Sequence, residues 1–216
     1  MYNFVAQNNG RSLSESVFFA TNATPGTGIA SDTVATAFAD TEALMTIFNS
    51  ASATANPSDN QYIIPVFLRL TATSINTSAT NFRLIGELAG ENRYTSGGTT
   101  LTSKSCSVDT RSGYTNRTPK ATINFGDIVS TDGATRQRVF NTMVSEAILA
   151  VDESLEIWFG DCPNASSANN VKVVPPVWIG RGSSLSIHGV AASQAADPDF
   201  EVEFCYIESG HPRFSS

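Results

Sequence analysis

The strongest constraint in this sequence is the alternation of apolar and polar residues in its last apolar segment. In the segment 200–207, one face carries Phe200, Val202, Phe204 and Tyr206, and the other carries Glu201, Glu203 and Cys205. A period of two is typical of a half-buried antiparallel strand. A second strand is predicted at 183–190, after a turn at 180–182 whose glycines tolerate positive φ. We expect these two C-terminal strands to organise the rest of the chain.

Other segments predict strands by their apolar pattern. They lie at 14–20, 62–75, 81–89, 121–125, 155–159 and 171–174. Pro65 has no amide donor, so the segment around it requires a bulge or an edge position there. Residues 76–79 predict a hairpin turn between the strands that precede and follow them.

Two further segments predict amphipathic helices. From Val34 to Phe48, apolar residues recur at steps of three and four. A similar stripe, which includes Val139 and Met143, runs through residues 134–149. A strand at 137–144 is the alternative for the second segment.

Eight or nine strands with one or two helices indicate a mainly β protein. We expect an antiparallel β-sandwich of the jelly-roll type, with one or two short helices in the connections. No repeat or change of composition divides the sequence. We therefore expect a single domain over 1–216, with terminal arms at 1–12 and 208–216.

The composition is acidic and low in charge. The 20 Asp and Glu against 13 Lys and Arg give a net charge of -7, and 15% of residues are charged. Binding a phosphate backbone needs clustered Lys and Arg, so no direct nucleic-acid partner is expected. No apolar run approaches the roughly 20 residues of a membrane-spanning helix, and residues 1–7 have no secretory pattern. Three cysteines predict free thiols without a disulfide framework.

No motif predicts a catalytic centre, a metal site or a cofactor. His188 and His211 have no His, Cys or Asp at the spacing of a zinc site. The glycines and serines of 180–184 stand in the wrong order for a nucleophile elbow. Carboxylate groups, such as Asp197 with Asp199, are expected to be solvated rather than to form a glycosidase or calcium site. We expect a protein that is not an enzyme.

Aromatic residues in polar surroundings are the other informative class. Tyr94 and Tyr114 lie in the polar stretch 90–119, which predicts one strand near 99–108 and otherwise a long loop. Aromatic loop residues can stack on sugars, so these two tyrosines are a candidate ligand loop for a glycan or receptor. Trp158 and Trp178 lie in or near strands and are expected in the core or at a subunit contact.

The C-terminal unit resembles the closing strand pair of small virion structural proteins of phages. The matching features are the proline-led segment 174–179, the turn 180–182, the strand 183–188 and the alternating residues 200–204. The resemblance implies a β-sandwich that works by self-association, without chemistry of its own. The absence of a basic N-terminal arm from this sequence favours an outer-shell, decoration or DNA-phage capsid role.

We therefore expect a capsid or capsid-decorating subunit of a virion, assembled in the host cytoplasm from copies of itself and other capsid proteins. Assembly is expected through sandwich edges, loops and the terminal arms, because chain ends become ordered when they pack against something. The candidate interface residues are Tyr2, Phe4, Val5, Trp178, Pro212 and Phe214. A carbohydrate- or receptor-binding lectin-like module of the same fold is the alternative.

Overall fold

A computed structural model describes residues 17–31, 34, 36–51, 62–74, 80–106, 118–132, 135–145, 149–160, 171–192 and 198–209. These residues form strands and, within those ranges, no helix. In chain order the strands are β1 (Val17–Thr21), β2 (Ile29–Ala30), β3 (Glu42–Asn49), β4 (Tyr62–Ala72), β5 (Thr80–Ala89), β6 (Tyr94–Thr100), β7 (Thr102–Ser105), β8 (Ala121–Ser130), β9 (Gln137–Ser145), β10 (Ser154–Phe159), β11 (Val171–Val174), β12 (Ser184–Ala192) and β13 (Asp199–Ser209).

The strands form two sheets that pack face to face. The first sheet has the order β11-β10-β4-β13-β1-β7, with β2 also paired to β13, and the second has the order β6-β8-β3-β12-β5-β9. Only β10 and β11 pair in parallel among the described strands. Phe200 of the first sheet contacts Phe82 and Phe125 of the second, with ring centroids 5.7 and 6.4 Å apart. The predicted mainly antiparallel β-sandwich is confirmed.

The two C-terminal strands occupy central positions but do not pair with each other. β12 lies between β3 and β5 in the second sheet, and β13 lies between β4 and β1 in the first. The predicted alternation in β13 is confirmed, because its four apolar side chains are all fully buried. The strand continues through Glu208 and Ser209, which the sequence had placed in the C-terminal arm.

Both predicted helices are wrong. The segment that ends at Phe48 contains β3, and the segment 134–149 contains β9, close to the alternative strand at 137–144. Side chains on both faces of β3 are buried, so apolar residues occupy both faces and the period of two is lost from its sequence. β9 pairs with β5 through two register shifts, which interrupt its alternation.

The predicted hairpin between β4 and β5 is also wrong, since β4 belongs to the first sheet and β5 to the second. The requirement for a bulge at Pro65 is confirmed. β4 is an interior strand, and the register with β13 shifts where Tyr206 pairs with Pro65. The bulge lets a residue without an amide donor lie inside the sheet.

The pairing of strands is nested in the sequence. β3 pairs with β12, β4 with β10, β5 with β9, and β6 with β8, all antiparallel. The polar stretch after residue 90 supplies β6 and β7, and the buried residue Leu101 carries the chain from the second sheet to the first between them. Strands that change sheet in this way form the corners of a sandwich.

Candidate interaction surface

The outer face of the first sheet carries a continuous row of apolar side chains. The register pairs five of them across neighbouring strands: Phe19 of β1, Cys205 of β13, Phe67 of β4, Trp158 of β10 and Val173 of β11. We call these five residues the outer stripe. Lys104 of β7 pairs with Phe19 and continues the row at one end. With strands about 4.8 Å apart, the row from Lys104 to Val173 spans about 24 Å.

Alternation along each strand places the outer stripe on the face opposite the core. Phe18, Leu68, Ile157 and Phe204, which are chain neighbours of stripe residues, are at most 1% exposed and belong to the core. Four stripe residues are half-buried, and the fifth, Val173, is exposed at 45%. An apolar row on the outside of a sheet is typical of a surface that contacts another molecule.

The three aromatic rings of the outer stripe pack against one another. The ring centroid of Phe67 lies 5.1 Å from Trp158 and 6.1 Å from Phe19. The guanidinium carbon of Arg69 lies 5.8 Å from the Phe67 centroid. The rings are thus held in place before any partner binds, and aromatic and Arg side chains are the types most enriched at binding hot spots.

A row of charged side chains lies directly beside the outer stripe. Glu203, Arg69 and Glu156 are register partners on β13, β4 and β10, and we call them the charged row. Arg69 donates from Nε to Glu156 and from Nη1 to Glu203, both at 2.6 Å. The Trp158 indole nitrogen donates to the other Glu156 oxygen at 3.1 Å. The charged row therefore fixes the orientation of both Arg69 and Trp158.

Cys205 contributes to the outer stripe as an apolar side chain rather than as a nucleophile. It is a free, half-buried thiol. Burial, with a smaller contribution from Cys106, raises the pKa of Cys205 to about 12. The reactive thiolate is therefore rare at neutral pH.

The second sheet holds a buried ionic cluster formed by Glu87, Arg93 and their contacts. The Arg93 side chain is fully buried and donates from Nη1 to Glu87 at 3.0 Å. Its Nε donates to the Thr131 carbonyl at 2.9 Å, and its Nη2 donates to the Asp40 carbonyl at 2.7 Å. Arg93 thus ties three separate segments of chain together over the outer face of the second sheet.

His188 lies beside this cluster and is closed to solvent. Its Nδ1 lies 2.6 Å from the Glu42 carbonyl oxygen, which can only accept, so Nδ1 carries the proton. Its Nε2 lies 3.9 Å from a Glu87 oxygen and has no hydrogen-bond partner in the part of the chain that the structure describes. Burial lowers the pKa of His188, and Phe38 packs edge-on against the ring at 5.0 Å. The arrangement is that of a structural histidine.

The candidate residues from the sequence lie in several places. Trp178 is half-buried in the segment between β11 and β12. Tyr94 is half-buried at the start of strand β6, not in a loop, and its hydroxyl donates to the Gly97 carbonyl at 3.0 Å. The remaining candidates lie outside the described residues: Tyr2, Phe4, Val5, Tyr114, Pro212 and Phe214.

The sequence did not indicate that the residues of the outer stripe form one surface. The signal for the stripe was present in single strands, because Phe19, Phe67 and Trp158 stand at positions opposite the core-facing residues.

Within the described ranges, no group of three or more His, Cys, Asp or Glu side chains could hold a metal ion. No helix in the same ranges is long and apolar enough to span a membrane.

Comparison with protein-family models, with curated proteins and with solved structures finds no match to this chain.

Proposed function

We propose that this chain is a non-enzymatic virion structural protein, a capsid or capsid-decorating subunit that associates with copies of itself through the outer stripe. The observation that carries the proposal is the outer stripe itself, a row of apolar side chains about 19 Å long on an outer sheet face, whose aromatic rings pack against one another. Solvent contact at Phe67, Trp158 and Val173 is unfavourable, and burial against a second molecule removes it.

Charge supports a second copy of this chain as the occupant of the surface. The charged row contains both an arginine and two glutamates on one face, so the face can complement itself. A partner of a single charge sign would attract one kind of charge in the row and repel the other. Repetition of such contacts by symmetry is how structural subunits build closed assemblies.

The topology supports a jelly-roll type of sandwich for this subunit. The four nested antiparallel pairs are those expected when one long hairpin of strands wraps into two sheets. The pair β6–β8 departs from that pattern by extending the second sheet beside β3. The resemblance of the C-terminal unit to phage virion proteins adds the virion context, and assembly with other capsid proteins in the host cytoplasm follows from it.

Sedimentation velocity across a dilution series tests the role of the outer stripe. Val173→Lys places a charge on the stripe, whereas Val129→Lys places one at a strand residue of the second sheet with similar exposure, 49% against 45%. We expect the wild type and Val129→Lys to associate with rising concentration, and Val173→Lys to require at least about 10-fold more protein, because a buried unpaired charge is costly. Monomers at every concentration, or equal weakening by both variants, would contradict the proposal.

The lectin-like alternative uses the same aromatic residues in another way. Exposed aromatic rings beside carboxylates can stack on sugar faces and hydrogen-bond their hydroxyls, and Trp158 with Glu156 offers that pair. Retention of the wild type, but not of Trp158→Ala, on a glycan array would favour this alternative. Self-association that is unaffected by glycans would favour the structural subunit.

A further inference from the structure

On the outer face of the first sheet, apolar residues near the midline have apolar counterparts on its other side, whereas at the two ends Val173 corresponds to Lys104. The midline runs between β4 and β13, with three strands of the sheet order on each side. In the row formed by the outer stripe and Lys104, Phe67, Trp158 and Val173 lie on one side of the midline. Cys205, Phe19 and Lys104 lie on the other side at the same three distances. In the charged row, Arg69 and Glu203 flank the midline as opposite charges.

We propose that two copies pack outer face to outer face about a two-fold axis that is parallel to the strands and lies over the β4–β13 midline. This inference rests on the proposed function and specifies the geometry of its contact. Such an axis places the outer stripe of one copy over the outer stripe of the other, and the charged row over the charged row. Each residue on one side of the midline then faces the corresponding residue from the other side. It therefore places Trp158 of one copy over Phe19 of the other, and Phe67 over Cys205.

The same axis brings opposite charges together. Arg69 of each copy lies opposite Glu203 of the other copy. The Arg69–Glu203 ion pairs of the two copies therefore form a square of four alternating charges across the contact. A two-fold axis perpendicular to the strands would instead reverse the order of the rows and leave Arg69 without a facing carboxylate from the charged row. Charge complementarity thus selects one of the two in-plane axes.

The size of the contact predicts its strength. Sheets packed face to face lie about 10 Å apart, with their strands nearly aligned. The six strands overlap over four to six residues, which gives a face of about 24 by 17 Å on each copy, or roughly 800 Å² in total, below the standard size of specific interfaces. A weak, concentration-dependent dimer follows.

Rescue between two charge-reversed variants tests the axis directly. Arg69→Glu alone sets two glutamates against each other twice in its homodimer, and Glu203→Arg alone does the same with two arginines. A mixed dimer of the two variants restores both opposite-charge contacts. We expect the dissociation constant of each variant alone to rise about 10-fold or more, and the equimolar mixture to return close to the wild-type value.

A second measurement avoids charge reversal, in case Arg69→Glu does not fold. The proposed axis places Thr21 of one copy opposite Glu156 of the other, one step along the same row. Thr21→Cys and Glu156→Cys, each with Cys106 and Cys162 replaced by Ser and Cys205 replaced by Ala, are mixed with a bifunctional thiol reagent of about 10 Å reach, matching the sheet spacing. Cross-linked dimers are expected from the mixture and not from either variant alone.

The outcomes separate this inference from the proposed function. If the wild type never associates, or Val173→Lys has no effect, the proposed function itself fails. If association depends on Val173 but the mixtures show neither rescue nor cross-linking, the stripe is the contact and the proposed axis is wrong. Rescue by mixing the two charge-reversed variants, or cross-linking that occurs only when the two cysteine variants are mixed, supports the axis.

Discussion

At the scale of single residues, His188 shows how the second sheet tolerates a polar side chain that is closed to solvent. The ring is held by the Glu42 carbonyl on one side and Phe38 on the other, near the Glu87–Arg93 ion pair. Glu87 and Asp40 favour a proton on the ring and Arg93 opposes it, but burial is the largest cause and lowers the pKa below its usual range. His188 is therefore neutral in the folded protein at neutral pH.

This environment predicts a loss of stability in mild acid. The unfolded chain takes up the His188 proton near pH 6.5 and the folded chain only at lower pH, so the free energy of unfolding falls as pH drops below 6.5. The slope from this group is at most about 1.4 kcal/mol per pH unit. We expect the stability advantage of wild type over His188→Gln, measured by urea unfolding, to shrink from pH 7.5 to pH 5. An advantage that stays constant or grows would mean that the buried ring accepts its proton as readily as the unfolded chain does.

At the scale of elements, local pattern predicted strands with one buried face and failed for the others. β13 and β10 alternate cleanly because one side of each faces the core and the other faces the outer surface. β3 is buried on both sides, so its apolar residues also fit a helical spacing. β9 is an edge strand with register shifts, and its apolar residues likewise fit both periods. The distinction between helix and strand there depends on tertiary neighbours that the local sequence does not contain.

The contact between β5 and β9 offers a test of the corrected assignment. Gly86 pairs with Phe140, whose ring lies across the glycine, and a Cβ at Gly86 would come within 2.2 Å of that ring. We expect Gly86→Ala to reduce the free energy of unfolding by about 1–3 kcal/mol, because the buried ring must move. Gly90→Ala is the control, since its Cβ meets its nearest atom at 3.5 Å. Equal stability of the two variants in chemical unfolding would argue against Phe140 lying over Gly86.

At the scale of the whole molecule, the class of fold was predictable and the arrangement of the sheets was not. Period-two segments and turn residues indicate a β-sandwich, but which strands pair is decided by contacts between distant parts of the chain, such as Phe48 with Ser184. The outer stripe has the same origin. Phe19, Phe67 and Trp158 are far apart in sequence, and only the register of β1, β13, β4 and β10 brings them into one row. The sequence marked each residue as apolar and could not show that they form one surface.

We propose that a second copy covers the outer face of the first sheet, and hydroxyl-radical footprinting measures that coverage directly. Oxidation of Phe67 and Trp158 is followed by mass spectrometry at dilute and concentrated protein, with half-buried Tyr94 of the second sheet as internal reference. We expect the oxidation of Phe67 and Trp158 to fall relative to that of Tyr94 as the protein associates. Association that leaves the oxidation of Phe67 and Trp158 unchanged would contradict the proposal.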